Sequence, residues 1–276
     1  MSKAVVSTRV CRFFEKNGNC KKGTLCEFLH ENVSKQRKKP KNTVTFTPFD
    51  REVDLRLVVD TAPDEMSIQL RKCDVGIFTS VFADFKPWEL HDLVLREIQE
   101  TSIEHLLKPW HGNDKIKGTH LICDDAKSWK RDANAFNMII ERLCRYFGIH
   151  VDSRPATRCN WYNSHTQHKP LHHDAAAFDP KKAAKQNITI ALSLGQTREI
   201  LLQKTKTSSS KETKDHKGVF VSFPANDSSV YAFTNETNIH WKHGVHVGIE
   251  EDDKTKESRI SIIVWGWTDN ISEEWF

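Results

Sequence analysis

After Pro155 the chain changes texture, and this change constrains its fold more than any other feature. From there on, short runs rich in β-branched and aromatic residues recur between turn-forming clusters, at 157–162, 188–194, 199–204, 219–223, 229–233, 240–247 and 259–267. Upstream the apolar residues repeat at helical spacing instead. They do so over 88–107 (Leu90, Leu93, Leu95, Ile98, Ile103) and over 135–147 (Phe136, Ile139, Ile140, Leu143, Tyr146). Helices followed by many short strands predict an α+β chain, mainly β: an antiparallel sandwich or barrel with a helical buttress. The polar stretch 204–217 reads as a loop between two strands, and no internal repeat is visible.

The first 30 residues cannot follow the same rule, because they are too few to bury a core. They carry Cys11, Cys20, Cys26 and His30 in the spacing C-x8-C-x5-C-x3-H. Three thiolates and one imidazole make a closed tetrahedral Zn(II) site with no position open for chemistry, and the metal must then supply the folding free energy. This segment resembles the CCCH zinc fingers, which typically bind single-stranded RNA by stacking bases on aromatic side chains. Phe14 and Phe28 match aromatic positions of that family, while Lys22 stands where many RNA-binding members carry a stacking Tyr.

Charge follows the same division. Residues 1–42 hold eleven Lys/Arg against three Glu, whereas the remainder is net acidic, within a total of +4. The excess sits in the finger and in Lys35, Arg37, Lys38, Lys39 and Lys41, which suggests a nucleic-acid anchor, RNA or single-stranded DNA, on a mildly acidic body. No apolar run approaches the roughly 20 residues of a membrane span, and Met1 to Val10 lacks a signal-peptide core. A nuclear or cytoplasmic monomer with reduced thiols is expected, because seven Cys fit no disulfide framework. Cys73, Cys123, Cys144 and Cys159 read as isolated buried thiols. The expected organisation is a finger at 1–32, a basic linker at 33–45, an N-terminal extension and candidate substrate lid at 46–155, and a core domain at 156–276.

Within that core, His172 and Asp174 are two residues apart, so on extended backbone both point to one face and His173 to the other. A second histidine, His243, follows about seventy residues later in HWKHGVH. Two imidazoles and one carboxylate on one side of a metal form the facial triad of non-haem Fe(II) oxygenases, which leaves positions open for co-substrate and O2. Arg259, sixteen residues after His243, offers a cation for an acidic co-substrate.

These residues stand within a longer pattern: Asn160 and Tyr162, His172 and Asp174, Ser193 to Glu199 (SLGQTRE), Trp241 and His243, then Arg259. In that order they resemble the AlkB-like 2-oxoglutarate/Fe(II)-dependent dioxygenases, over roughly residues 157–267. The resemblance implies a double-stranded β-helix, or jelly roll. It implies Fe(II) on His172, Asp174 and His243, and 2-oxoglutarate paired with Arg259 and hydrogen-bonded by Asn160 and Tyr162. The implied activity is oxidative demethylation or hydroxylation of alkylated bases in RNA or single-stranded DNA. Two alternatives stand beside it: a dioxygenase acting on protein side chains, and a non-catalytic CCCH RNA-binding protein with an inert jelly roll.

The chain departs from the family pattern in four places. Trp265 stands where many members carry a second Arg, and Ala176 where repair members carry an acid that touches the base. The gap from Tyr162 to His172 is one residue longer than in the bacterial repair enzyme, and His246 replaces a frequent Pro. His246 reads as surface, and Trp88, Trp110 and Trp129 read as core rather than lid. Ser193 to Glu199 reads as a strand and turn without chemistry.

Overall fold

The computed structural model describes residues 7–30, 55–100, 106–113, 116–124, 132–150, 154–205 and 218–274. The basic linker, Trp129 and most of the 204–217 stretch lie outside them. The chain divides into two compact units, Met1–Glu52 and Val53–Phe276. Among the described residues no helix is long and apolar enough to cross a membrane.

In the first unit, β1 (Ser7–Val10) and β2 (Phe28–Leu29) pair in parallel beside the short helix Arg12–Asn17. That helix ends on Gly18 at φ +67°, a left-handed cap that a side chain would strain.

The second unit is built on eight strands: β7 (Ala156–Tyr162), β8 (Lys169–His172), β9 (Ile188–Gly195), β10 (Arg198–Lys204), β11 (Phe220–Ala225), β12 (Ser229–Thr234), β13 (Trp241–Val245) and β14 (Arg259–Gly266). They fall into two sheets, ordered β12-β9-β14-β7 and β11-β10-β13-β8, with every pairing among them antiparallel. Apart from β10, which β11 follows in the same sheet, each strand is followed by one in the opposite sheet, which is the winding of a double-stranded β-helix. The segment before Pro155 widens the larger sheet at both edges. The parallel pair β3 (Arg56–Asp60) and β4 (Asp74–Phe78) joins β12, while β5 (Lys108–Asn113) and β6 (Ile116–Asp124) join β7.

Strand periodicity sorts two cores and, with them, the site. On β9 and β14, Ile188, Ile190, Leu192, Leu194, Ile260, Ile262 and Val264 face outward. There they pack with Leu90, Val94 and Ile98 of the helix Glu89–Glu100 and with Phe136, Ile139 and Leu143 of the helix Asn134–Tyr146. These two helices are the buttress. The Glu97 carboxylate of the first accepts the amides of Ala135 and Phe136, capping the N-terminus of the second. The alternate residues, Ala191 and Ile263 among them, turn inward against Ile200, Leu202, Phe223 and Val245 of the smaller sheet. Strands covered on both faces read as continuous burial, as β9 does along its whole length.

Three local expectations are corrected. β8 is a strand that periodicity did not reveal, since HKPLH is short, polar and interrupted by Pro170. It lies at the edge of its sheet, where a missing N–H is tolerated. His240 closes the helix Asn235–His240 rather than opening a strand. The first buttress helix begins at Glu89, after Trp88 at φ +69°.

Candidate metal centres and co-substrate cavity

In the finger, one ligand atom from each of Cys11, Cys20, Cys26 and His30 falls within 4.8 Å of the others. The Cys11 thiol is drawn down to about 6, chiefly by the Phe14 amide at the helix N-terminus. Phe14 lies flat on His30, with ring centroids 4.5 Å apart, and Phe28 stays exposed. The set suits zinc.

In the jelly roll the register delivers the triad. His243 on β13 stands directly opposite His172 on β8. Asp174 follows β8 in extended backbone, clamped by Asn238, which accepts its amide (2.8 Å) and donates to its carbonyl (3.2 Å). His172 Nε2 and His243 Nε2 lie 3.7 Å and 3.6 Å from Asp174 Oδ1, and all three residues are buried. Pro170 O can only accept, so at 2.9 Å it fixes the proton of His172 on Nδ1. The His172 Nε2 lone pair then faces the centre, buried and without a partner among the described residues.

Electrostatics set the charge states that a metal requires. Burial takes the His172 imidazole down to about 3, with Lys169 and His243 adding to the effect, so it stays neutral. Burial alone would raise Asp174, but His243, hydrogen bonding and Lys169 outweigh it and hold the carboxylate well below its usual range. A neutral imidazole and an ionised carboxylate are ready ligands.

The second Asp174 oxygen is held elsewhere. Trp265 Nε1 donates to Oδ2 at 2.8 Å, and Thr189 Oγ1 does so at 3.3 Å. Thus the residue that replaces the second Arg orients the triad carboxylate.

Beside the triad lies a cavity lined by Asn160, Tyr162, Ser261, Tyr231 and Lys169. Arg259, fully buried, has its guanidinium 5.2 Å from the ring centroid of Tyr162, one of the lining residues. Its Nε donates to Ser193 Oγ at 2.9 Å, while Nη1 and Nη2 have no partner among the described residues. Asn160 donates to Ser261 O, leaving its own Oδ1 and the Ser261 hydroxyl unpartnered as well. Orphaned polar atoms in one cavity mark a place for a ligand, and a guanidinium with both terminal nitrogens free fits a carboxylate fork. The residues fit Fe(II) and 2-oxoglutarate.

Several contributors were not expected from sequence. Ser193 was read as structural, yet it aims Arg259. Arg198 of the same SLGQTRE stretch is buried and donates to the carbonyls of Ser164, His165, Gln167 and Glu257, which fastens the loops before β8 and β14. Gly195 turns at φ +85°, where a Cβ would meet Ser258 O at 2.6 Å. Lys169 is buried, its pKa brought down to about 8 by burial, with its ammonium 5.3 Å from the Trp110 ring centroid. His120 stacks on Tyr162 at 4.5 Å. Trp110 is core, as expected, but it also walls the groove, 4.9 Å from His172. His246 is exposed, and among the described residues its ring meets Val247 O at 3.3 Å, in keeping with its surface reading. Cys73, Cys123, Cys144 and Cys159 are buried.

A two-sheet β-helix with a His-Asp-His centre and a buried Arg beside it is the class that fold and site define. Residues 7–31 match the family described as zinc finger, C-x8-C-x5-C-x3-H type (and similar). No curated protein matches the chain. Among solved structures, the chain is similar to a Pseudomonas putida prolyl-4-hydroxylase (14% identity, TM-score 0.37, covering 66% of this chain and 88% of that one). It is similar to OsALKBH1 (14%, TM-score 0.39, 66% and 99%). It is also similar to SnoN, a non-heme alpha-ketoglutarate-dependent epimerase from nogalamycin biosynthesis (14%, TM-score 0.39, 65% and 74%).

Proposed function

We propose that this chain is an AlkB-like Fe(II)/2-oxoglutarate-dependent dioxygenase that demethylates or hydroxylates alkylated bases in RNA or single-stranded DNA, its zinc finger anchoring the strand. The observation that carries the reading is a buried His172-Asp174-His243 cluster together with a buried Arg259 whose two terminal nitrogens are unpartnered and which packs on Tyr162, a wall of the cavity that Asp174 and His243 line. Bound Fe(II), with 2-oxoglutarate and O2, supplies the oxidising power, yielding succinate and CO2 and hydroxylating a C–H bond, which on an N-methyl group releases formaldehyde.

The chain's own residues do the placing. His172, Asp174 and His243 hold the metal, and Trp265 and Thr189 keep Asp174 Oδ1 turned toward it. Arg259 receives the distal carboxylate of 2-oxoglutarate, aimed by Ser193 and backed by Tyr162, while the unpartnered Ser261 hydroxyl is free to donate to the same dianion. The apolar layer of Phe233, Val245 and Ile263 excludes water from that end.

The nucleic-acid reading rests on the groove that opens from the triad. Its walls carry Arg154, Arg158, Lys182, Lys185 and Lys242, with Asp124 as the one acid apart from Asp174 among the described residues. Trp110, Phe178 and Trp265 give it aromatic surface. Cations that track a backbone beside rings that receive bases are the features a single strand requires.

The test is succinate formation by anaerobically iron-loaded protein on admission of air, with methylated oligonucleotides, with methylated basic peptides, or with neither. Stimulation by oligonucleotides is expected. Stimulation by peptides alone would replace the substrate class, and absence of succinate together with absence of Fe(II) and 2-oxoglutarate binding would overturn the dioxygenase itself.

A further inference from the structure

Resting on the nucleic-acid reading above, we infer that the reacting group this site accepts is uncharged: the groove selects a neutral N-alkylated base over a base that its alkyl group makes cationic. A cationic base needs either a carboxylate or an open aromatic face beside the reacting carbon. Beside the triad, the described residues offer neither one free of a protein cation.

Two carboxylates lie near the triad, and both are committed. Asp174 belongs to the cluster, with Oδ1 toward the two imidazoles and Oδ2 on Trp265. Asp124 stands opposite Arg158 in the β6/β7 register, takes its Nε at 2.6 Å, and has Lys108 Nζ at 3.3 Å. Two residues beyond Asp174, where the backbone turns along the groove, Ala176 contributes only a methyl.

The two indoles beside the triad are committed as well. The Arg158 guanidinium carbon lies 5.2 Å from the Trp265 ring centroid, and Lys169 Nζ lies 5.3 Å from that of Trp110. Each of these two rings already holds a cation from the protein, and Phe178, the third ring of the groove, is exposed but packs edge-on against His173 rather than against the triad. A fixed positive charge entering here would shed its hydration and meet repulsion from Arg158 and Lys169, whereas a neutral methylated base meets only stacking surface. The same argument sets the groove against methylated lysine, whose cation needs an aromatic cage.

The experiment uses the iron-loaded full chain and two isomeric oligonucleotides in competition. One carries an adenine methylated on its exocyclic amine, which is neutral. The other carries the same adenine methylated on ring nitrogen N1, which is a cation at neutral pH. Demethylated products of each are counted by mass. The neutral isomer is expected to be favoured at least tenfold in kcat/KM. Arg158→Met, which removes a cation and leaves Asp124 only Lys108, should shift the ratio about tenfold toward the cationic isomer, and Asp124→Asn should shift it the other way. A structural defect slows both isomers together and leaves their ratio alone, so the ratio is the readout. Equal or preferred turnover of the cationic isomer overturns this inference alone, as does a ratio that neither substitution moves. Turnover of neither isomer, with basic peptides consumed instead, overturns the nucleic-acid reading and this inference together.

Discussion

Replacing Trp265 with Phe removes one hydrogen-bond donor and little else. The Phe ring keeps an aromatic surface for the Arg158 guanidinium, which lies 5.2 Å from the indole, but it cannot donate to Asp174 Oδ2. The lost bond is charge-assisted, in a buried site, at 2.8 Å, and bonds of that kind contribute about 1.5–3 kcal/mol. Thr189 remains as a weaker donor at 3.3 Å, so the carboxylate is loosened rather than abandoned. Part of the loss appears as stability and part as affinity, because a carboxylate free to rotate must be ordered again when it takes a metal. Partners of metal ligands typically contribute about 10- to 100-fold in affinity or activity. With Thr189 still in place, the expectation is about tenfold weaker binding, and Trp265→Phe with Thr189→Val should approach a hundredfold. Anaerobic calorimetric titration with Fe(II), or with Co(II) as a spectroscopic probe, gives the dissociation constants, and circular dichroism checks the fold. An unchanged metal affinity in the double variant, with the fold intact, would show that Trp265 does not orient Asp174.

Arg259→Met should abolish measurable 2-oxoglutarate binding while leaving thermal stability unchanged or raised, since it removes a buried cation with two orphaned nitrogens; calorimetry and a melting curve check the pair. His120 is held neutral, its pKa pressed down to about 3 first by burial and then by Lys169, whereas the unfolded chain takes up that proton below about 6.5. The native state therefore loses stability as pH falls from about 6.5 toward 3, by at most about 1.4 kcal/mol per pH unit for this residue. His120→Phe should flatten the slope of urea-unfolding free energy against pH by one proton's share, and an identical slope would refute the assignment. Cys20→Ser should unfold the finger and weaken oligonucleotide binding in a salt-sensitive way. Substrate-independent succinate formation should survive that change, and its loss would contradict a two-unit chain.

Much of the site was legible because period-2 alternation carries chemistry as well as burial. Once β7 and β14 are recognised as strands, Asn160 and Tyr162 must share a face, and so must Arg259, Ser261 and Trp265. The triad followed from spacing and order. What stayed hidden depends on register. Lys169 is three residues before His172, an odd spacing that on a regular strand puts the two on opposite faces. The pairing of His243 with His172 and of Val245 with Lys169 sets two residues against three, and this irregularity turns both side chains inward. No signal in HKPLH announces it. Asn238 was hidden for a different reason: it clamps the Asp174 backbone from a short helix 64 residues away, and only the completed fold brings the two together. Trp265 was legible as a departure from a pattern, but its new role required seeing which oxygen it meets.

The interior of this jelly roll is more polar than its stability alone would favour. Arg259, Asn160, Ser261 and His172 each leave a buried donor or acceptor unmatched among the described residues, and each such group costs about 1–3 kcal/mol. The outward faces of β9 and β14 are apolar, so the sequence could have filled the inner face likewise. It does so at Ala191 and Ile263, where no polar group is needed. These four lie around Arg259 and the triad, and hydrogen-bonded residues hold them in place, although buried atoms elsewhere, Arg198 Nε and Asn235 Oδ1 among them, are also unmatched among the described residues. Ser193 bonds both Arg259 and Ala225 O, Arg198 reaches several carbonyls, and Asn238 grips Asp174 twice. A centre with unmatched groups, fastened by a hydrogen-bonded frame, is what a binding site requires, because the frame keeps the centre from collapsing onto itself to recover its hydrogen bonds. The instability stored there is therefore binding energy held in reserve for a small anion and a metal, and any ligand that matches those groups must raise the stability of the fold by RT ln(1 + L/Kd), with L its free concentration.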